Sequence, residues 1–367
     1  MTKAAELAKM GEVLTNSQIG GRRNIAYNGA MQIAQRSTSE TGLGASSGYF
    51  TLDRFKLAPS STAGRLTMAQ ESITDLPGFA NAMKFTCTTA DTSIAAGETL
   101  LLRQFFEGQD LQQLKKGTSS AEEFTISFYV KGNANATYMV EVYDGDNTRN
   151  NTQQFAVTSS WNRISLTFAA DTTGAFNDDN TLSLYLNFWL HAGSNFTSGT
   201  YTANTWGSPT DANRAVGISS FFSSTDNTFF LTGLQMEVGS QATPFEHRSF
   251  GEELALCQRY CLDLTPVADT AYPYISGTGA VANSTITVLH NSFPVEMRTT
   301  PTVVMSGTAG DYYIYNGGAI QVTAFQANGL SPRGGGINFS VSSGVSAGQA
   351  AGVYTGSNVR SIVDAEL

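Results

Sequence analysis

Residues 181–191, TLSLYLNFWLH, carry two kinds of side chain in alternation. Successive side chains of an extended segment point to opposite sides. Leu182, Leu184, Leu186, Phe188 and Leu190 therefore share one face, and Ser183, Tyr185, Asn187, Trp189 and His191 share the other. The first face requires a hydrophobic core. The second mixes aromatic rings with amide and hydroxyl groups. Sugar rings offer C–H patches that stack on aromatic faces, and hydroxyls that pair with amides and carboxylates. The pattern therefore has the chemistry of a glycan site. FTISFYVKG and TYMVEVYDG divide in the same way. Phe124, Ile126, Phe128, Tyr138, Val140 and Val142 belong with the core, and Tyr129, Glu141 and Tyr143 oppose them. If these strands share a sheet, Tyr129, Glu141, Tyr185, Asn187 and Trp189 line one concave surface. The loop at 192–215 adds Phe196, Tyr201 and Trp206 among small polar residues, a composition typical of binding loops. A second reading uses the same residues. The loop, or a neighbouring protomer, folds over the face, and the aromatics are packing groups. Tyr312, Tyr313 and Tyr315, ending in Asn316-Gly317-Gly318, present the same choice between an exposed tip and an ordinary strand with a hairpin turn.

Catalytic chemistry finds less support. The three histidines, His191, His247 and His290, show no metal-ligand spacing, and no CxxC, GxSxG, Walker or HExxH pattern occurs. Asp144, Asp146, Asp178 and Asp179 lie in Asn- and Gly-rich stretches, where carboxylates serve turns. No catalytic residue, metal ligand or cofactor is assigned, and the chain is expected not to be an enzyme. The net charge of −9 is spread without a basic block, which disfavours nucleic acid and anionic membranes as partners. No apolar run approaches the ~20 residues of a membrane span, so no membrane insertion is expected. Cys87, Cys257 and Cys261 are too few and too badly spaced for a disulfide framework, consistent with assembly in a reducing cytoplasm.

The elements that position these residues are mostly strands. From 23 to 248, runs rich in β-branched and aromatic residues alternate with Asn/Asp/Gly/Ser/Thr segments such as YDGDNTRNNT at 143–152, which reads as a turn. This predicts an all-β jelly-roll β-sandwich. FGEELALCQRYCL predicts a connecting helix within 249–263, with Leu254, Cys257 and Cys261 on one face. Strand signals resume over 264–367, predicting a second, smaller β-sandwich domain. Residues 1–22 carry Leu7, Met10 and Leu14 at helical spacing before Gly20-Gly21, the pattern of a short attachment segment.

Three stretches resemble tailed-bacteriophage tail-fibre and receptor-binding proteins. They are RRNIAYNGAMQIAQRSTS with GYFTLDRFKL, LTGLQMEVGSQATPFEHRSFGEELALCQRYC, and the C-terminal SIVDAEL. The middle of the chain, with FTISFYVKG followed by Val-Thr-Ser-Ser-Trp-Asn-Arg at 157–163, is similar to jelly-roll carbohydrate-binding modules. Calcium-binding members carry a carboxylate pair near the last strand, where LTGLQMEVG offers only Glu237, and no metal is assigned. The resemblance implies a homotrimer in the virion tail, assembled in the host cytoplasm. It would attach to tail or baseplate proteins through its N-terminus and adhere to a host-surface polysaccharide. Leu254, Cys257 and Cys261 would then meet partners near a symmetry axis. The alternative is a structural virion component, a capsid decoration or tail connector protein, without receptor binding.

Overall fold

The computed structural model describes residues 22–265, 273–356 and 359–367, together with Lys3. The attachment residues Leu7, Met10 and Leu14 lie outside the described residues. The chain forms two compact units, Met1–Ser249 and Phe250–Leu367.

The first unit is a jelly-roll sandwich of two antiparallel sheets. One holds, in spatial order, β1 (Ser39–Leu43), β3 (Arg65–Ser72), β4 (Asn81–Thr89), β11 (Thr228–Val238), β6 (Phe124–Gly132) and β9 (Asn162–Phe168). The other holds β2 (Lys56–Ser60), β5 (Thr99–Glu107), β10 (Leu182–Ala192), β7 (Ala136–Asp144) and β8 (Arg149–Val157). Most connections cross from one sheet to the other, as in β4 to β5 and β6 to β7. Leu184, Leu186, Phe188 and Leu190 face the core as their alternation requires, and all are fully buried. Phe188 of β10 meets Phe128 of β6 edge-on, with centroids 5.2 Å apart. Burying each such ring contributes roughly 1.5–3 kcal/mol.

The stretch 143–152 is not all turn. The chain reverses within four residues, where the Asp144 carboxylate accepts the Asn147 N–H at 3.0 Å and Thr148 has φ +53°. β8 then begins at Arg149 and pairs with β7 through Glu141↔Thr152 and Tyr143↔Asn150. Its polar sequence hid it, because β8 takes extra backbone bonds from Asn204 and Gly207.

The second unit opens with the helix Phe250–Gln258, followed by β12 (Cys261–Asp263). β12 lies in a three-stranded sheet beside β21 (Ser361–Asp364), with β15 (Thr302–Met305) on the far side. A seven-stranded sheet has the order β17 (Ala319–Gln321), β16 (Tyr312–Tyr315), β20 (Ala350–Thr355), β13 (Thr278–Asn283), β14 (Ile286–Ser292), β19 (Gly334–Ser340) and β18 (Ala324–Ser331). Leu289, Tyr312, Ile314, Phe339, Val353 and Val363 belong to one core.

This corrects the helix expectation in two ways. Cys261 is a strand residue, not a helical one: it pairs with Asp364, whose strand satisfies backbone groups that a longer helix would satisfy internally. Cys257 and Cys261 are also fully buried within the single chain and form no disulfide, so they present no surface to a neighbouring protomer. Leu254 stays half-buried, and Phe250 is 59% exposed.

Candidate functional site

β10 sits between β7 and β5, and register decides what its outer face meets. Tyr185 opposes Tyr143, Asn187 opposes Glu141, and Trp189 opposes Met139 across the β7 side. On the β5 side Asn187 opposes Arg103 and Tyr185 opposes Phe105. Glu141, Tyr185, Asn187 and Trp189 thus come together on one surface. Tyr129 does not join them, because the β6–β7 connection crosses the sandwich. It lies half-buried on the other sheet, with its ring 5.3 Å from Phe79.

The surface is closed. Glu141, Asn187 and Trp189 are 0%, 1% and 1% exposed. Glu141 Oε1 accepts Asn150 Nδ2 at 2.8 Å and Arg214 Nε at 2.8 Å. Its Oε2 accepts Asn187 Nδ2 and Trp189 Nε1 at 2.9 Å each, and Arg214 Nη2 at 3.0 Å. The Arg214 guanidinium lies over the Trp189 ring at 5.1 Å and the Tyr143 ring at 5.5 Å. Phe196 tilts against Trp189 at 5.3 Å, and Ala215 and Ile218 complete the cover. Burial alone would push the Glu141 carboxyl up. The Arg214 charge, with hydrogen bonds from Arg214, Asn150 and Trp189, outweighs that and holds it below the ordinary glutamate range. Burial likewise disfavours the Arg214 charge, and Glu141 reverses the sign. Around Arg103 burial dominates and lowers its pKa.

Glu141, Asn187 and Trp189 are therefore interior packing and anchoring groups, not sugar contacts. The loop of residues 193–218 folds back over them because Arg214 supplies the cation that a buried carboxylate requires. The loop aromatics are engaged as well. The Tyr201 hydroxyl accepts the Gln154 N–H at 3.0 Å. Trp206 Nε1 donates to the Ala169 carbonyl at 2.7 Å, and its ring lies 5.4 Å from Lys116 Nζ. Both are half-buried and tied to the sandwich rather than presented to solvent. Tyr185 is half-buried as well, edge-on to Phe105 at 5.0 Å and Tyr143 at 5.4 Å. Of the turn carboxylates, Asp144, Asp146 and Asp179 are engaged within the chain. Asp144 pairs with buried Lys116, which also meets Asp171 at 3.1 Å, and Asp179 accepts the Thr181 N–H at 2.9 Å.

An aromatic surface does stand open in the second unit. Alternation along β16 buries Tyr312 and Ile314 and turns Tyr313 and Tyr315 outward. Tyr313 stacks on Tyr354 of β20 at 5.3 Å and 14°, and Tyr354 tilts against Tyr274 at 5.6 Å. Tyr274 and Tyr315 are each 51% exposed. Gly352 makes room, since a Cβ there would lie 2.7 Å from the Tyr274 ring. Tyr274, Tyr315, Tyr354 and Ala319 line a hollow of about 250 Å³. A shallow groove of about 760 Å³ adds Thr278, Asn316 and Gln349 with glycine backbone, and no charged residue lines either. The sequence marked Tyr315 through its YYIY run. Tyr274, within AYPYI, and Tyr354, within AGVYTG, carry no signal that links them to it, and only β-pairing brings them there.

No protein-family model matches the sequence, and no curated protein matches it. Among solved structures, a CBM4 chain matches at 10% identity over 58% of this chain and 98% of that one, with a TM-score of 0.31. A family 11 carbohydrate-binding module of Clostridium thermocellum matches at 12% identity over 57% and 99%, with a TM-score of 0.27. The enzymatically active domain of tailspike protein 4 of bacteriophage CBA120 matches at 10% identity over 59% of this chain but 21% of that one, with a TM-score of 0.29. At such identities and scores these likenesses decide nothing about ligand or activity.

Proposed function

We propose that the chain is a non-enzymatic adhesion subunit that binds a host-surface polysaccharide as part of a bacteriophage tail fibre. The observation that carries the binding reading is the open tyrosine shelf of Tyr274, Tyr315 and Tyr354 beside an uncharged groove. Tyrosine faces stack on sugar C–H patches, while the Asn316 and Gln349 amides and glycine backbone supply hydrogen bonds to hydroxyls. The fibre assignment rests on the resemblance of 22–39 with 48–57, of 231–261 and of 361–367 to fibre proteins. On this reading the subunit is a homotrimer in the virion tail, attached through residues 1–22. Several weak sites acting together give firm adhesion.

A second reading, a structural virion component, is favoured by the closure of the β10 face beneath its own loop. One experiment addresses both. Purified full-length chain is tested for binding to host-cell polysaccharide beside a Tyr274→Ala/Tyr315→Ala variant. Two lost stacking contacts of about 1–2 kcal/mol each lower affinity by about 30- to 1000-fold. Both rings are half exposed, so the melting temperature stays within about 2 °C. A wild-type chain that binds no host polysaccharide, or a variant that binds as well as wild type, overturns the adhesion reading.

A further inference from the structure

Two side chains of one connection and a third far away in sequence converge in the first unit. Asp91 and Glu98 lie in the connection from β4 to β5, and His191 is near the end of β10. One candidate ligand atom from each lies within 4.8 Å of the others. His191 Nε2 and Glu98 Oε2 are 3.3 Å apart, which is about the edge of a tetrahedron with metal–ligand arms of ~2.0–2.1 Å. Asp91 and Glu98 are each 5% exposed and His191 is 0% exposed.

Charge is the first difficulty that a cation would relieve. Among the described residues, neither carboxylate has a Lys or Arg partner, and their one basic neighbour is His191. Asp91 Oδ2 accepts the Thr62 hydroxyl and the Ala63 N–H, both at 2.8 Å, which orients the carboxyl without neutralising it. Asp91 also lies within hydrogen-bond reach of Glu98, so without a cation the two carboxylates must share a proton or face one imidazole as a buried like-charge pair, and a divalent ion takes that proton's place. The imidazole is also prepared from outside the cluster. Ser220 Oγ lies 2.7 Å from His191 Nδ1, and Phe222 packs edge-on to the ring at 5.4 Å. A partner on Nδ1 fixes the ring and leaves the Nε2 lone pair for a metal, the usual second contact of a metal-bound histidine.

We propose that Asp91, Glu98 and His191 form a closed structural site for a divalent transition metal of the zinc type. One nitrogen and carboxylate oxygens in a tight, buried setting suit zinc better than calcium, which takes six to eight oxygens. A second carboxylate oxygen or one enclosed water completes four ligands. The ion staples the β4–β5 connection to β10, just before the loop that covers Glu141. Sequence spacing hid the site, because two of its residues are separated by 93 positions.

The test uses the full chain, stripped with a chelator and titrated with Co²⁺, Zn²⁺ and Ca²⁺. The expected result is one Co²⁺ per chain with visible absorption, displaced by Zn²⁺ and not by equimolar Ca²⁺. Zn²⁺ at a hundredfold excess over Kd raises Tm by about 5–10 °C. Asp91→Asn/Glu98→Gln, which keeps shape and removes charge, abolishes uptake. Should that variant fail to fold, the wild-type cobalt complex decides alone, through paramagnetically shifted ring protons of a single histidine. No stoichiometric uptake, uptake retained in the variant, preference for Ca²⁺, or unshifted histidines overturns the proposal.

Discussion

Replacing Arg214 by Met is the sharpest probe of the closed face. Methionine keeps much of the aliphatic contact with Trp189 and removes two bonds to Glu141, at 2.8 and 3.0 Å. Glu141 then keeps three neutral donors, Asn150, Asn187 and Trp189, and loses its bonded cation. Breaking a buried pair from one side costs about 3–5 kcal/mol. For a unit of this size that is about 6–20 °C in Tm. The sign with pH is distinctive. In the native protein the Glu141 pKa is depressed, so its contribution is full above the ordinary glutamate value and is lost as pH falls through the folded value. In Arg214→Met, burial without a bonded cation raises that pKa, so the folded carboxyl takes up a proton first. The deficit relative to wild type therefore narrows between pH 7 and pH 4.5. Urea melts followed by tryptophan fluorescence read this directly, because all three tryptophans, Trp161, Trp189 and Trp206, lie in the first unit. A loss below about 1 kcal/mol at pH 7, or an equal loss at both pH values, refutes the account of Glu141 as a buried carboxylate held by Arg214.

Two further outcomes follow from the same packing. Trp189→Ala opens a cavity beneath Phe196 and orphans one Glu141 bond, costing about 3–5 kcal/mol in urea unfolding while leaving polysaccharide binding at the tyrosine shelf intact; a native-like melt with lost binding would return Trp189 to the ligand. Lys116, with its side chain 4% exposed between Asp144 and Asp171, behaves likewise: Lys116→Met costs about 3–5 kcal/mol at pH 7, measured by the same melts, and a neutral result would show that the pair does not hold the β7–β8 turn.

The fold was legible wherever one sheet face is apolar. The runs at 124–130, 137–143, 181–190 and 228–238 mark strands, because alternation survives when the two faces meet different surroundings. β5, TLLLRQFFE, has lost that contrast, with eight of its nine residues buried on both faces. β8, RNNTQQFAV, hides in the opposite way. Its Asn, Thr and Gln side chains read as turn chemistry, yet a loop from forty to sixty residues downstream pairs with its edge and covers it. Register errors had the same origin. Tyr129 and Glu141 have equivalent places in their strands, but only topology shows that the two strands lie in different sheets.

The candidate site shows why residue type alone could not choose between ligand and packing. A sugar site and a buried polar anchor draw on the same parts: an aromatic ring, an amide and a carboxylate with donors around it. What separates them is the source of the donors. Glu141 receives all five of its hydrogen bonds from its own chain, and two come from Arg214, twenty-five residues beyond Trp189, which leaves no acceptor position for a hydroxyl. The tyrosines at 274 and 315 are the converse. Their rings present open faces, the neighbouring groove is lined by neutral groups, and Gly352 gives up its side chain to seat Tyr274. On the adhesion reading proposed above, the surface open to a ligand therefore moves from the first unit to the second. In the trimer proposed above, weak stacking without charge would gain strength by repetition across subunits rather than from any single deep pocket.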